Sequence, residues 1–241
     1  MLEVSNLVKR FGGLVATNNM SFNVRAGESL GLIGPNGAGK TTIFSLIMGE
    51  HRPSSGSIRL DGAEISRLPT HARIRLGVSR TYQVPRPFPE LSVAENIRVG
   101  LMPDRLCDML FRQPDRQAER DLALSVGFAE DDLTRLPSEL SMGDLRKLEL
   151  ARTLATGAKV LLLDEVFAGL TAGEIAQISE LIQAKRAAGL TLIIVSHDLK
   201  ALEPLVDRTL AMTQGALIAD GPFDDVIANA DVRAAYLGDA A

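Results

Sequence analysis

The chain has 241 residues, 46% of them hydrophobic, and a formal net charge of -4. That length suits one globular unit or two small subdomains with a real core, and the mildly acidic balance gives no general attraction to DNA or RNA. The single cysteine, Cys107, excludes an intrachain disulfide and fits a reducing compartment; the opening MLEVSNLVKRF lacks the layout expected of a secretion signal, and the longest apolar runs are far too short to span a bilayer.

Residues 2–8 and 14–24 read as strands punctuated by Phe11-Gly12-Gly13, and residues 57–60 as another, closed by the turn signal Asp61-Gly62. Between them the apolar run 29–33 feeds GPNGAGKTT, residues 34–42, which opens a helical pattern through Ile43, Leu46 and Ile47. The run fits G-x-x-x-x-G-K-S/T, with Gly34, Gly39, Lys40 and Thr41 at the fixed positions. Its glycines let backbone N–H groups crowd around a phosphate, and the helix N-terminus adds favourable partial charge. Lys40 is placed to reach the terminal phosphates, and Thr41 to hold Mg2+.

Arg67, Arg73, Arg75 and Arg80 form a local basic run, read as a solvated face in preference to a binding patch. Gln83 follows Arg80-Thr81-Tyr82; its neutral amide can touch a metal ion or water without adding charge, but alone it carries no meaning. Three prolines in residues 85–89 forbid regular helix, and from 92 to about 155 the pattern is helical with no convincing strand. A mostly helical insertion, 85–154, is therefore expected between core segments 1–84 and 155–241. Within it Ser141 is placed to cap a helix from Met142, Asp144 to complete a variant capping box, and Leu145, Leu148 and Ala151 to form the buried stripe. With Gly143 close by, that helix start is either a second anion-binding surface or only a well-capped helix.

VLLLDE, residues 160–165, ends a buried strand in two acids. Asp164 is placed to support Mg2+, partly through water, and Glu165 to polarise an attacking water; a solvent-facing acidic turn is the plain alternative. Residues 172–188 form an amphipathic helix with Ile175, Ile178, Leu181 and Ile182 on one face, ended by Gly189. After the next buried strand, 190–195, comes His197, at the strand end where ligands bind in open α/β sheets; it can meet a phosphate or cap the following helix. Residues 209–213 and 216–219 flank Gln214-Gly215 as a hairpin. The βαβ alternation implies an α/β fold with a largely parallel sheet and helices on both faces. His51 and His71 lack metal-ligand spacing.

In this order the motifs resemble the ATP-binding subunit of ABC transporters over nearly the whole chain. GPNGAGKTT resembles the Walker A loop, LLLDE the Walker B strand with its catalytic acid, and LSMGD, residues 140–144, the signature specific to that superfamily. Gln83 sits where the Q-loop glutamine belongs, His197 looks like the switch histidine, and Phe11 lies where the family stacks an aromatic on adenine. RFGGLVATNN, RTYQVPRPF and DVRAAYLGDA resemble the branched-chain amino-acid importer subclass, although importers of amides, urea or other small polar solutes share these stretches.

The resemblance implies a P-loop NTPase core with a mostly parallel central sheet, an N-terminal antiparallel β subdomain and a helical signature subdomain. It implies ATP held by Phe11, Gly34, Asn36, Gly37, Ala38, Gly39, Lys40, Thr41 and Thr42, with Ser141 and Gly143 meeting the nucleotide of a second subunit. It assigns Mg2+ to Thr41, Gln83 and Asp164, and catalysis to Glu165, His197 and Gln83. The partners it implies are a second ATPase subunit (identical or related), integral membrane permease subunits and, indirectly, a solute-binding protein, with no nucleic acid. The place it implies is the cytoplasmic face of the bacterial inner membrane; a soluble ABC ATPase without a transport role is the rival reading.

Three positions depart from the family pattern: Asp144 replaces the usual Gln, Val166 the Pro after the catalytic Glu, and Thr171 the acid of the D-loop. A carboxylate at 144 would repel an incoming γ-phosphate, so Asp144 is expected to face its own helix N-terminus as a cap. Thr171 is expected to weaken the usual hydrogen bonds across the dimer.

Overall fold

Alternating polarity builds the first strand. In β1 (Leu2–Phe11) Leu2, Val4 and Leu7 are buried while Glu3 and Ser5 face out, and Asn6, at φ 49°, shifts the alternation by one so that Leu7 turns inward. β1 pairs antiparallel with β2 (Leu14–Val24) and with β4 (Ser55–Leu60), and β5 (Ala63–Glu64) completes an antiparallel sheet of order β2-β1-β4-β5. The computed structural model describes residues 1–102 and 115–237; Cys107 and the last four residues of the DVRAAYLGDA stretch and its tail lie outside them.

The second sheet has the order β10-β9-β3-β8-β7-β6. Its strands β3 (Ser29–Ile33), β7 (Val160–Asp164) and β8 (Thr191–Val195) are buried at every position, as a strand with cover on both faces requires. β3 pairs parallel with β8 and with β9 (Arg208–Thr213), β7 with β8 and with β6 (Val78–Arg80), and the hairpin partner β10 (Ala216–Gly221) runs antiparallel to β9. Successive residues of one strand serve opposite cores. Leu162, Ile193 and Val195 pack with Leu30, Phe44 and Ile47, whereas Leu161, Leu163 and Ile194 pack with Ile178 and Ile182.

The helices, numbered over the described residues, are α1 (Lys40–Met48), α2 (Thr70–Arg75), α3 (Val93–Leu101), α4 (Arg116–Ser125), α5 (Met142–Ala155), α6 (Ala172–Ala187), α7 (Leu199–Leu202), α8 (Phe223–Ala228) and α9 (Ala230–Leu237). Helix α3 starts on a full capping box from Ser92 and Glu95. A third apolar cluster joins α3, α4 and α5 through Val93, Ile97, Ala123, Leu148 and Ala151. No strand occurs among the described residues from 85 to 154.

The structure corrects three expectations. Strand β6 was not foreseen, because its three residues, Val-Ser-Arg, carry no apolar run. The basic run is a solvated face only in part: Arg67 and Arg75 are exposed, but Arg73 is wholly buried and Arg80 nearly so. Arg73 donates to the carbonyls of Leu46, Ile47, Ser66 and Leu68, tying off the end of α1, and burial lowers its pKa to about 10. In α5, Leu148 and Ala151 are buried as expected, but Leu145 is only half-buried and the polar Arg146 and Glu149 take inward positions.

Candidate active site

Four adjacent strands, β3, β8, β7 and β6, deliver their C-terminal ends to one edge of the sheet. β3 leads into Gly34 and the phosphate loop, β7 ends at Asp164 and Glu165, β8 is followed by His197, and β6 is followed by Gln83. Residues distant in sequence converge there because parallel strands must all end on the same side.

The result is a cleft of about 560 Å³. It is lined by Phe11, by the loop residues Asn36, Gly37, Ala38, Gly39, Lys40, Thr41 and Thr42, and by Gln83, Asp164, Glu165 and His197. Leu14, Val15, Ala16 and Gln214 complete the wall. Sequence reasoning gave these four no site role; the only signal was that three of them follow Phe11 in the RFGGLVATNN stretch. Gly34 lies at the base of the loop, and Ser141 and Gly143 are not among the lining residues.

Two glycines are demanded by close approach. At Gly34 (φ 153°) a Cβ would stand 2.1 Å from the Met212 carbonyl oxygen, and at Gly39 (φ 104°) 2.4 Å from that of Ala16. Gly39 precedes the first residue of α1, so the free N–H groups of that helix open into the cleft. Lys40 Nζ donates to the carbonyls of Gly34 at 2.6 Å and Pro35 at 3.0 Å. Burial lowers the Lys40 pKa, while the nearby charges of Glu165 and Asp164 push it back up.

Glu165 has φ 49°, a left-handed conformation unusual for a residue with a side chain. Its carboxylate accepts from the His197 backbone N–H at 3.1 Å and lies 3.2 Å from His197 Nε2. Asp164 pairs with Arg80 at 2.6 Å. Phe11 is exposed at the mouth of the cleft, edge-on to His51 at 5.2 Å and beneath the Lys9 ammonium at 4.7 Å.

Helix α5 is wired to this edge. Arg146 donates to the carbonyls of Tyr82 at 2.6 Å, Gln83, and Glu165 at 3.4 Å, and it pairs with Glu149 at 3.1 Å. Glu149 accepts the Tyr82 N–H at 2.7 Å; burial pushes its carboxyl pKa up, against the opposing pull of that N–H and of Arg146. At the far end of the chain the Tyr236 hydroxyl accepts the Gly34 N–H at 2.9 Å. None of Arg146, Glu149 and Tyr236 could be found from sequence, since each acts on a partner more than sixty positions away in the chain.

At the start of α5 the expected capping box is half formed. Ser141 Oγ accepts the Asp144 N–H at 3.1 Å, but the Asp144 carboxylate takes the Ser141 hydroxyl at 3.0 Å and Lys147 at 3.1 Å in place of a backbone N–H. The Gly143 N–H donates to Glu174 Oε1 at 2.9 Å. Thr171 caps α6 in a full capping box with Glu174, and Val166 is buried in the core beside Phe167. These contacts give Thr171 and Val166 places within their own chain.

Residues 17–168 match the family model for the ABC transporter, and residues 216–241 match that for the branched-chain amino acid ATP-binding cassette transporter. The chain is 39% identical to the high-affinity branched-chain amino acid transport ATP-binding protein BraF of Pseudomonas aeruginosa, covering 100% of this chain and 98% of that one. It is 37% identical to the corresponding protein LivG of Escherichia coli, again over 100% and 98%. Among solved structures, a nucleotide-free ATP-binding cassette from an ABC transporter superposes with a TM-score of 0.88 at 26% identity, covering 98% of both chains. The ADP conformation of MJ1267, an ATP-binding cassette of an ABC transporter, gives 0.88 at 27%, covering 99% of this chain and 98% of that one. With its phosphate loop, acidic strand end and signature helix on such a frame, the chain belongs to the ABC transporter family, as an ATP-hydrolysing, nucleotide-binding subunit.

Proposed function

We propose that this chain is the ATPase of an importer for branched-chain amino acids, working as half of a two-site dimer. One observation carries the reading: the cleft collects Lys40, Thr41, Gln83, Asp164, Glu165 and His197, while Ser141 and Gly143 of the same chain lie outside it. The signature residues are then left for the nucleotide of a second ATPase subunit, the same chain or a related one, which they meet once the Glu174 carboxylate releases the Gly143 N–H.

Phe11 stacks the base; Gly34 shapes the loop, and Asn36, Gly37, Ala38, Gly39, Lys40, Thr41 and Thr42 hold the phosphates. The hydroxyl of Thr41, the amide of Gln83 and the carboxylate of Asp164 are oxygen donors facing one cleft, a set that suits a hard cation sharing its shell with phosphates and water. Mg2+ there would neutralise charge developing on the phosphates. Glu165 takes the proton of the attacking water, and His197, 3.2 Å away, holds that carboxylate in place and meets the terminal phosphate. Catalysis on this plan is mostly positioning and charge stabilisation.

The core is assigned to 1–84 and 155–241 and the helical subdomain to 85–154. Between them a groove of about 350 Å³, with Tyr82, Arg86, Val99, Gly100 and Arg152 in its wall, borders the Gln83 segment. We assign it to the permease subunits. No helix among the described residues is long and apolar enough to cross a membrane, so the permease would hold this chain at the cytoplasmic face of the inner membrane. The solute comes from BraF and LivG, whose names specify branched-chain amino acids.

The test is Glu165→Gln. ATP turnover should fall by about 100-fold or more, the usual worth of a general base, while light scattering shows an ATP-dependent dimer. Unchanged turnover without a trapped dimer overturns the assignment. Leucine uptake by cells carrying the gene and its permease neighbours, compared with urea and amide uptake, tests the solute.

A further inference from the structure

Arg80 joins the catalytic edge to the groove wall. Its Nη2 donates to Asp164 Oδ2 at 2.6 Å, and its Nη1 to Glu50 Oε2 at 3.0 Å and Ser45 Oγ at 3.2 Å. The guanidinium lies 5.6 Å from the Phe44 ring centre and 5.0 Å from that of Tyr82, whose hydroxyl donates to Glu50 at 3.0 Å. Side chains of Arg80 and Asp164 are 4% and 6% exposed, so water screens the pair little. The same Arg80 and Tyr82 line the groove of about 350 Å³.

A buried ion pair gains little net stability, because desolvation offsets its attraction. Its value here is geometric. A planar guanidinium binds two acids in fixed directions, which an ammonium cannot reproduce. It fixes one oxygen of Asp164 and leaves the other for the shell of a metal ion.

We propose that Arg80 is a positioning residue for Asp164, fixing this carboxylate for Mg2+ and linking its orientation, through Glu50 and Tyr82, to the wall of the groove. The proposal rests on the reading above that Asp164 supports the metal ion.

The test uses the full chain, a fluorescent ATP analogue, and titration with Mg2+ or EDTA. Arg80→Lys keeps the charge and loses the fork. It should raise the Mg2+ concentration for half-maximal nucleotide binding about tenfold, the lower end of what loss of a ligand's supporting partner costs, with binding in EDTA unchanged. Glu50→Gln, at an exposed position, should move the midpoint the same way by about threefold, and the double variant should be no worse than Arg80→Lys, since both act through one guanidinium. Asp164→Asn separates the two readings. If it shifts the Mg2+ midpoint and Arg80→Lys does not, the positioning role is overturned; if Asp164→Asn also has no effect, the metal assignment falls and takes this proposal with it. Should Arg80→Lys fail to fold, Glu50→Gln decides, and an unmoved midpoint overturns the link to the groove.

Discussion

Glu149 shows how a buried carboxylate ties the signature helix to the Gln83 segment. Burial raises its pKa above the ordinary value of 4.5, and the Tyr82 N–H and Arg146 only partly oppose that. An acid whose folded pKa is raised binds its proton more tightly in the folded state. Its contribution to stability is therefore full below about pH 4.5 and is lost as pH rises through the higher folded value. Glu149→Gln cannot titrate. The stability of the wild type minus that of the variant, from denaturant unfolding between pH 4 and 7, should fall as pH rises. A difference that stays flat across that window would show that the carboxyl titrates alike in both states.

At the scale of elements, legibility followed locality. β3, β7 and β8 could be read because each is five residues long and buried throughout, and the phosphate loop because its spacing is contiguous. β6 could not: a three-residue edge strand is defined by its pairing with β7, not by its own pattern. The cap at Ser141 was legible, but not the partner of the helix start it creates. The Gly143 N–H is taken by Glu174 Oε1, and a Cβ at 143 would stand 2.7 Å from the same oxygen. Hydrogen bonds from Thr171 and from the Gly143 N–H hold the Glu174 carboxyl pKa down, so this group is an anion at neutral pH. An internal carboxylate thus sits where a partner's phosphate is expected to arrive, and like charges repel. Glu174→Gln keeps one acceptor oxygen for Thr171, since glutamine also serves at this position of a capping box, gives up the acceptor for the Gly143 N–H, and removes the charge. Combined with Glu165→Gln it should form the ATP-dependent dimer at severalfold lower ATP. A dimerisation midpoint equal to that of Glu165→Gln alone would show that Glu174 already turns away before phosphate arrives.

For the whole molecule, the placement of the two helix starts proposed to meet phosphate decides the working unit. That of α1 opens into the cleft, whereas that of α5 lies outside it on a helix clamped to the core through Arg146. Arg146 is buried and bonded to three carbonyls and one carboxylate. Swinging α5 over its own cleft would break bonds to a charged donor, each worth about 1.5–3 kcal/mol. A second protomer can present the same helix start without that loss. Turnover per chain should therefore depend on concentration. With purified chain and saturating Mg-ATP, specific activity should fall on dilution through the range where sedimentation shows dimers giving way to monomers, and should recover on concentrating. If the chain pairs only with a related ATPase, it should be silent alone at every concentration and gain activity when that partner is added. Constant specific activity down to dilutions where only monomers sediment would mean that one chain completes its own site, and the two-site dimer would be wrong.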